Sequence, residues 1–259
     1  MKKRRASIKM RKGIYIPPNL LTTGNLMCGF WSIVSVFQEQ FYFAAVAILL
    51  ASVFDAFDGK VAKLSRATSK FGMQYDSLAD LVSFGIAPAL LAFSWALRPY
   101  GKFGWLAAFT FVACGAIRLA RYNVMASSGE TKYFKGVPIP VAAAMIALTI
   151  LLYLRLVETG WIKDIVILVM IYVLAFLMVS SIRYFSFKEL GLAKRKPIIS
   201  FVFVVLSLIV IVMEPVVVLS VFILFYVLSG PVSMLLAWRK KRVLRRMEPI
   251  PEEDLVIRG

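Results

Sequence analysis

Four aspartates, arranged in two pairs, are the residues of this chain best suited to chemistry. Asp55 and Asp58 are three residues apart, Asp76 and Asp80 are four apart, and long apolar segments flank them, where a carboxylate is costly. If both segments are helical, each pair shares one helix face. Four converging carboxylates need a countercharge, and a hard divalent cation bound through oxygen supplies it. The spacing therefore predicts a site for two divalent cations, Mg or Mn.

A simpler interpretation is that the aspartates cap helices and pair with basic residues between them. The basic residues available are Lys60, Lys63, Arg66 and Lys70. Two acids on one face at both ends argue against simple caps, and so do two glycines. Gly59 directly follows Asp58, and Gly72 precedes Asp76 by one turn. A glycine on the aspartate face lets a ligand or backbone come close, so the pattern favours a ligand pocket.

The same stretch resembles the signature of the CDP-alcohol phosphatidyltransferase family. That signature is Asp, two residues, Asp-Gly, two residues, Ala-Arg, eight residues, Gly, three residues, Asp, three residues and Asp. The positions that match at this spacing are Asp55, Asp58, Gly59, Ala62, Gly72, Asp76 and Asp80. The one departure is Lys63, where the family usually has Arg. Lysine keeps the charge for a phosphate contact but loses the planar fork of the guanidinium.

The resemblance implies transfer of a phosphatidyl group from a CDP-linked lipid to the hydroxyl of an alcohol, with release of CMP. It implies that Asp55, Asp58 and Asp76 hold the metal ions. Asp80 would take the proton from the attacking hydroxyl and also contact a metal ion. The residues expected to bind the CDP-lipid are Asn19, Thr22, Gly59, Ala62, Lys63 and Gly72. The family also implies a homodimer.

A polar stripe marks the first apolar segment. Asn19, Thr22 and Asn25 recur there at three-residue spacing. Polar residues at membrane depth face protein or ligand, and helix-to-helix hydrogen bonds are a fair alternative explanation. The Pro-Asn-x-x-Thr beginning of this segment is similar to the family's, in which this region approaches the nucleotide.

Two later segments bear on the acceptor alcohol. Residues 76–89 (DSLADLVSFGIAPA) and 132–140 (KYFKGVPIP) resemble segments of the branch of the family that makes phosphatidylserine. The resemblance implies that CDP-diacylglycerol and L-serine are the substrates. Arg118 and Arg121 lie three apart, and either suits the serine carboxylate. Lys135 is a further candidate for binding the acceptor or a phosphate. The arginines could instead anchor the helix at lipid headgroups, and glycerol 3-phosphate or inositol phosphate are alternative acceptors.

Composition indicates a chain whose solvent is the membrane. The 259 residues are 60% hydrophobic, with a mean hydropathy of +0.79, which is too apolar for a soluble domain. The net charge of +17 sits in short blocks between apolar segments. That pattern favours cytoplasmic loops beside anionic lipid, with no nucleic-acid partner. The absence of histidine excludes His-based acid–base chemistry and His-ligated zinc.

Eight apolar segments predict an all-α bundle of about eight transmembrane helices. They span about residues 20–37, 42–57, 72–97, 104–122, 141–156, 162–180, 198–213 and 216–238. Among the 31 Lys and Arg residues, those outside the predicted cytoplasmic segments are Arg98, Lys102, Arg155 and Lys163. The positive-inside rule therefore places both termini and the aspartates in the cytoplasm. We expect an integral protein of a bacterial or archaeal inner membrane.

The predicted domains are a basic segment at 1–16, a transmembrane domain at 17–238 and a cytoplasmic tail at 239–259. Within the transmembrane domain we distinguish a core, 17–180, from an extra helix pair, 197–238. A cation transporter would also carry intramembrane aspartates. It predicts polar residues through several spans, whereas the later spans here are nearly pure hydrocarbon, so an enzyme is favoured.

Overall fold

The computed structural model describes residues 16–64, 70–127, 136–156, 162–182 and 213–247. Every regular element in these ranges is helical, which confirms the all-α prediction for this part of the chain. The basic segment before residue 16, most of the predicted span at 198–213 and the end of the tail lie outside the described residues.

The described part of the chain contains the following helices and helical turns in sequence order. They are α1 (Ile16–Phe37), α2 (Phe41–Leu64), α3 (Lys70–Asp80), a π-helical segment (Leu81–Ile86), α4 (Ala87–Ala92), a second π-helical segment (Phe93–Leu97), a 3-10 turn (Arg98–Tyr100), α5 (Lys102–Ser127), α6 (Ile139–Leu156), α7 (Ile162–Val179) and α8 (Pro215–Met247). From α3 to the 3-10 turn the chain forms one nearly continuous helical rod.

Five stretches are long and apolar enough to cross a membrane. They are Asn19–Phe37, Phe41–Val61, Phe71–Tyr100, Lys102–Met125 and Pro215–Met234. The apolar parts of α6 and α7, Ile139–Arg155 and Asp164–Val179, are shorter. The described residues thus contain five candidate spans, and the count of about eight stays a prediction.

Two helices extend furthest beyond the predicted ends of their spans. The second span was expected to end near residue 57, but α2 continues to Leu64, so Asp55 and Asp58 lie within the helix. Gly59 is a weak helix former, but the lysine, alanine and leucine residues after it favour the helix. The last span was expected to end near 238, and α8 continues to Met247 through a basic stretch rich in good helix formers.

Small residues allow the helices to pack closely. Helix α1 packs along α2, and α2 presents the buried residues Ala44, Ala47 and Ala51 to the core. Helix α5 packs against α7, while α6 contacts α2, α7 and α8. In membranes the hydrophobic effect does not drive helices together, because lipid tails are as apolar as the helix surface. Close packing of backbones through small side chains is then a main source of helix association.

Gly136 fixes the segment before α6 against the end of α7. Its backbone has a φ of 80°, and a Cβ there would lie 2.4 Å from the carbonyl oxygen of Met178. Its N–H donates to the carbonyl of Ile182 at 2.9 Å. Only glycine suits both the left-handed conformation and the close approach. The Gly-x-Pro-x-Pro segment is therefore a joint between helices.

A π-helical segment directly follows Asp80 and packs against α1. A Cβ on Gly29 of α1 would lie 2.3 Å from the Ser83 hydroxyl, so the two backbones approach closely. Ser83 Oγ donates to the carbonyl oxygen of Asn25 at 3.0 Å. The π-helical geometry is uncommon and occurs often at functional sites. This contact holds α1 beside the second aspartate pair.

Candidate metal and acceptor site

Helices α2 and α3 bring the two aspartate pairs together. Carboxylate oxygens of Asp55, Asp76 and Asp80 lie within 4.8 Å of one another. Asp58 is buried beside this group, close enough for its charge to act on Asp76 and Asp80. The helices therefore bring the two pairs together, as the three- and four-residue spacings predicted. We call these four residues the aspartate cluster.

Helix α1 supplies hydrogen-bond donors to the aspartate cluster. The hydroxyl of Thr22 donates to Asp58 Oδ2 at 2.9 Å. One turn along, Asn25 Nδ2 donates to Asp80 Oδ1 at 3.0 Å, and both residues are buried. The polar stripe thus makes helix-to-helix hydrogen bonds, and its partners are the aspartates. Asn19 begins the stripe and is half-exposed.

The sequence placed Asn25 in the polar stripe but assigned it no partner, and it did not single out a second polar group around α3. The side-chain amide of Asn123 on α5 donates to Ser77 Oγ at 2.9 Å and to Gln74 Oε1 at 3.4 Å. Three-residue spacing on α1 was a signal for Asn25. No comparable pattern pointed to Asn123, whose partners lie 46 and 49 residues away.

The other predicted lipid-binding residues have different placements. A Cβ on Gly59 would meet no atom within 4 Å, so there is open space next to the helix that carries Asp55 and Asp58. Gly72 is half-buried in the first turns of α3. The side chains of Ala62 and Lys63, and the whole of Lys135, lie outside the described part of the structure.

The two arginines of α5 have different surroundings. Arg121 donates from Nη1 to the carbonyl of Val179 at 3.0 Å and from Nη2 to that of Met178 at 3.5 Å. It thereby caps the last turn of α7. Arg118 is 8% exposed, lies within electrostatic range of Asp80, and has an Nε without a hydrogen-bond partner. The sequence treated the pair as equivalent, and the structure separates them.

Most of the unpartnered buried polar atoms are in this region. Among the described residues, the buried side-chain atoms without a hydrogen-bond partner are Asn25 Oδ1, Asp76 Oδ1, Arg118 Nε and Asp164 Oδ1. The first three belong to the aspartate cluster or to residues near Asp80. Buried polar groups are normally paired, and an unpaired one calls for a ligand, an ion or water. Two acceptors and one donor would suit a ligand that carries both signs of charge.

The donor set fits a divalent cation. Three carboxylates with oxygens in mutual reach offer hard oxygen ligands, as Mg and Mn prefer. The unpartnered Asp76 Oδ1 provides an acceptor that no protein donor uses. The repulsion among the four acids gives a cation a strong electrostatic reason to bind.

Comparison with known proteins gives a consistent result. Residues 15–179 match the model of the family described as CDP-alcohol phosphatidyltransferase. The chain is 35% identical over 222 residues to the CDP-diacylglycerol–serine O-phosphatidyltransferase of Helicobacter pylori (strain ATCC 700392 / 26695), covering 86% of this chain and 92% of the relative. It is 35% identical over 172 residues to the enzyme of that name from Bacillus subtilis (strain 168), covering 66% and 91%. The archaetidylserine synthase of Methanothermobacter thermautotrophicus is 36% identical over 169 residues, covering 64% and 68%.

Proposed function

Because the chain belongs to the CDP-alcohol phosphatidyltransferase family, we propose that it transfers the phosphatidyl group of CDP-diacylglycerol to L-serine. The products are phosphatidylserine and CMP, and the reaction is a step of phospholipid biosynthesis. The relatives named above support serine as the acceptor. The observation that carries the proposal is the aspartate cluster, which has an unpartnered arginine nitrogen near Asp80.

The aspartate cluster holds the divalent cation in this proposal. Asp55, Asp76 and Asp80 provide converging oxygens, and Asp58 adds a fourth charge, which suits two ions of Mg or Mn. Bound there, the metal supplies charge neutralisation for the diphosphate and the departing CMP. Thr22 holds Asp58 in place through its hydroxyl.

Asp80 is the proposed general base. Asn25 donates to one carboxylate oxygen of Asp80, which leaves the other oxygen to accept a proton. The serine hydroxyl oxygen attacks the lipid-side phosphorus, and the bond from that phosphorus to the CMP oxygen breaks. The hydroxyl proton passes to Asp80 as the new phosphorus–oxygen bond forms. With no histidine in the chain, a carboxylate is the natural candidate for this role.

Arg118 is the proposed partner of the serine carboxylate. Its buried Nε has no protein partner, and its guanidinium lies near Asp80, where the serine hydroxyl must be. A carboxylate matches the planar fork of a guanidinium. Arg121 donates to the end of α7 and thus has a structural role in this proposal.

The CDP-lipid is proposed to bind on the cytoplasmic side of the aspartate cluster. The described residues assigned to this contact are Gly59, Gly72, Asn19 and Thr22. Gly59 has open space beside it. Among the remaining residues, Ala62 and Lys63 are assigned to the CDP-lipid, and Lys135 to the acceptor or a phosphate. The positive-inside distribution of Lys and Arg supports a cytoplasmic site in a bacterial or archaeal inner membrane. A homodimer is proposed from the family resemblance.

Orientation has a direct test. A cysteine placed at Gln40, in the exposed turn between α1 and α2, should react with an impermeant thiol reagent from outside intact cells. The background would lack Cys28 and Cys114, the cysteines of the chain. Labelling of Gln40→Cys only after the cells are opened would reverse the orientation and place the aspartate cluster on the outer side.

Product identification tests the reaction. Purified protein would be incubated with CDP-diacylglycerol and one acceptor at a time: L-serine, glycerol 3-phosphate or inositol phosphate. We expect phosphatidylserine and an equal amount of CMP from serine. Efficient product formation only from one of the phosphorylated acceptors would keep the family chemistry but overturn serine as the substrate.

A further inference from the structure

Asn25 has a hydrogen-bonding capacity that the protein leaves half used. It is 0% exposed in the first candidate span. Its Nδ2 donates to Asp80 Oδ1 at 3.0 Å, while its own Oδ1 is buried without a partner. A buried side-chain carbonyl oxygen left unpaired costs free energy, so this oxygen calls for a partner.

The backbone around Asn25 is firmly fixed. Ser83 Oγ donates to the backbone carbonyl oxygen of Asn25 at 3.0 Å. The absence of a side chain at Gly29 lets this contact form. Because the amide nitrogen is held by Asp80, the amide plane has a defined direction. The unpartnered oxygen is on the same amide group and therefore lies beside the Asp80 carboxylate.

An amide oxygen accepts hydrogen bonds and favours positively charged donors. The proposed acceptor carries such a donor next to its hydroxyl. When the serine hydroxyl is at Asp80 and the carboxylate is at Arg118, the ammonium group is the remaining substituent of the same small molecule. The residues that surround Asp80 include one unpartnered group of each required kind, Asn25 Oδ1 and Arg118 Nε.

We propose that Asn25 Oδ1 accepts a hydrogen bond from the ammonium group of the acceptor amino acid. This inference rests on the proposed function, and it makes Asn25 a specificity-determining residue. Three contacts then select a zwitterion with a hydroxyl: Arg118 for the carboxylate, Asp80 for the hydroxyl and Asn25 for the ammonium group. Glycerol 3-phosphate and inositol phosphate have no cationic group, so they would leave the buried oxygen unpaired.

The test compares L-serine with 3-hydroxypropanoate, which is serine without its amino group. The wild-type enzyme should prefer serine by about ten- to a hundred-fold in kcat/KM, as expected for one hydrogen bond to a charged group. Asn25→Ala and the bulkier Asn25→Leu should lower both rates, because each variant also loses the donor to Asp80. The preference for serine should fall to a few-fold, because only serine used the lost oxygen.

Ser32→Ala is the matched control on the same helix. Ser32 is buried and its hydroxyl donates to the carbonyl of Ala44 at 2.9 Å, within the α1–α2 contact. This variant should keep the wild-type preference. If the Asn25 variants turn over too slowly for kinetics, binding is compared instead. In the wild type, the inhibition constant of 3-hydroxypropanoate is measured against serine. In the variants, the shift in melting temperature caused by each compound is measured.

The outcomes separate the possible roles. An equal fall for both acceptors, with the preference unchanged, would overturn the inference and leave Asn25 acting only through Asp80. A raised metal requirement with the preference unchanged would make Asn25 Oδ1 a metal ligand and also overturn it. If the wild-type enzyme forms no phosphatidylserine, the proposed function fails, which is a different result from a wild-type enzyme that uses both acceptors equally.

Discussion

Charged side chains have different surroundings in two regions of the described helices: the surface where α6 ends and α8 begins, and the aspartate cluster. Where α6 ends and α8 begins, Arg155 and Glu214 form an ion pair at the surface, each about half exposed. In the aspartate cluster, four acids lie close together and the nearby Arg118 is buried with an unpartnered nitrogen. A surface pair needs nothing more, because water and the partner solvate each charge. Buried charges without such partners indicate a site that a ligand completes.

Arg118 and Arg121 repeat this contrast within one turn of α5. Arg121 uses its donors on the carbonyls of Val179 and Met178, so it joins two helices. Arg118 lies within electrostatic range of Asp80 and of Tyr226 in α8, a helix beyond the residues matched by the family model. Two arginines one turn apart therefore differ: Arg121 makes a structural contact, and Arg118 is the one proposed to bind the ligand. We therefore expect substitutions to have their largest effects in the aspartate cluster and their smallest effects at the surface pair of Arg155 and Glu214.

The largest effect is expected at Asp80. Asp80→Asn keeps the size of the side chain but removes the base, so kcat should fall by about 10²- to 10⁴-fold. Binding of CDP-diacylglycerol should be largely retained, which equilibrium binding of the lipid would measure. Asp164→Asn is the control, since Asp164 of α7 is a half-buried acid that also has a buried, unpartnered oxygen, and its rate should stay near wild type. If the fall in kcat is fully explained by loss of metal binding, Asp80 acts as a metal ligand alone and the base is unassigned.

The next largest effect separates the two arginines. Arg118→Lys should raise the KM for serine by about ten- to a hundred-fold, with little change in the KM for the CDP-lipid, because lysine loses the planar fork. Arg121→Lys should leave the serine KM near wild type and lower the melting temperature, since one ammonium nitrogen replaces the two guanidinium nitrogens that donate to the end of α7. Steady-state kinetics with each substrate varied in turn measures the difference. Equal changes in both KM values for Arg118→Lys would assign that residue to structure.

A stability effect without a direct chemical effect is expected at Gly136. Gly136→Ala forces a side chain into a left-handed conformation and against the carbonyl oxygen of Met178. The free energy of unfolding should fall by about 1–3 kcal/mol, measured by denaturation in detergent. Gly101→Ala is an informative partner, because Gly101 has a φ of 52° but open space around its Cβ. If both variants lose the same stability, the contact with Met178 adds nothing to the conformational strain.

The smallest effect is expected at the surface pair. Arg155→Ala or Glu214→Gln should change the free energy of unfolding by no more than about 1 kcal/mol, because both side chains are half exposed and the charges are screened. Turnover should not change. A loss of activity in either variant would mean that the attachment of α8 to α6 controls the aspartate cluster, which would remove the contrast between the two regions.

The sequence predicted what depends on spacing within one helix. Aspartates three and four residues apart had to share faces, and the facing pairs converge as expected. The helical class and the apolar character of the spans followed from composition. Helix ends were less predictable: α2 continues past Gly59 because one weak helix former does not stop a helix whose neighbours favour it.

Contacts between distant segments could not be predicted from spacing. Asn25 and Asp80 are 55 residues apart, and Arg121 and Val179 are 58 apart. Whether an arginine caps a helix or faces a ligand depends on where α7 ends relative to α5. No local pattern contains that information, so the sequence left Arg118 and Arg121 equivalent and could not name Asp80 as the partner of Asn25.

One measurement tests the central claim most directly: the release of CMP and the formation of phosphatidylserine by purified protein, followed as Mg or Mn is titrated. We expect both products in equal amounts, no reaction in excess chelator, and loss of most activity in Asp76→Asn at any metal concentration, because Asp76 has a buried oxygen that no protein donor uses. Full activity in chelator, or a wild-type rate in Asp76→Asn, would contradict the assignment of the aspartate cluster as the metal-dependent site of phosphatidyl transfer.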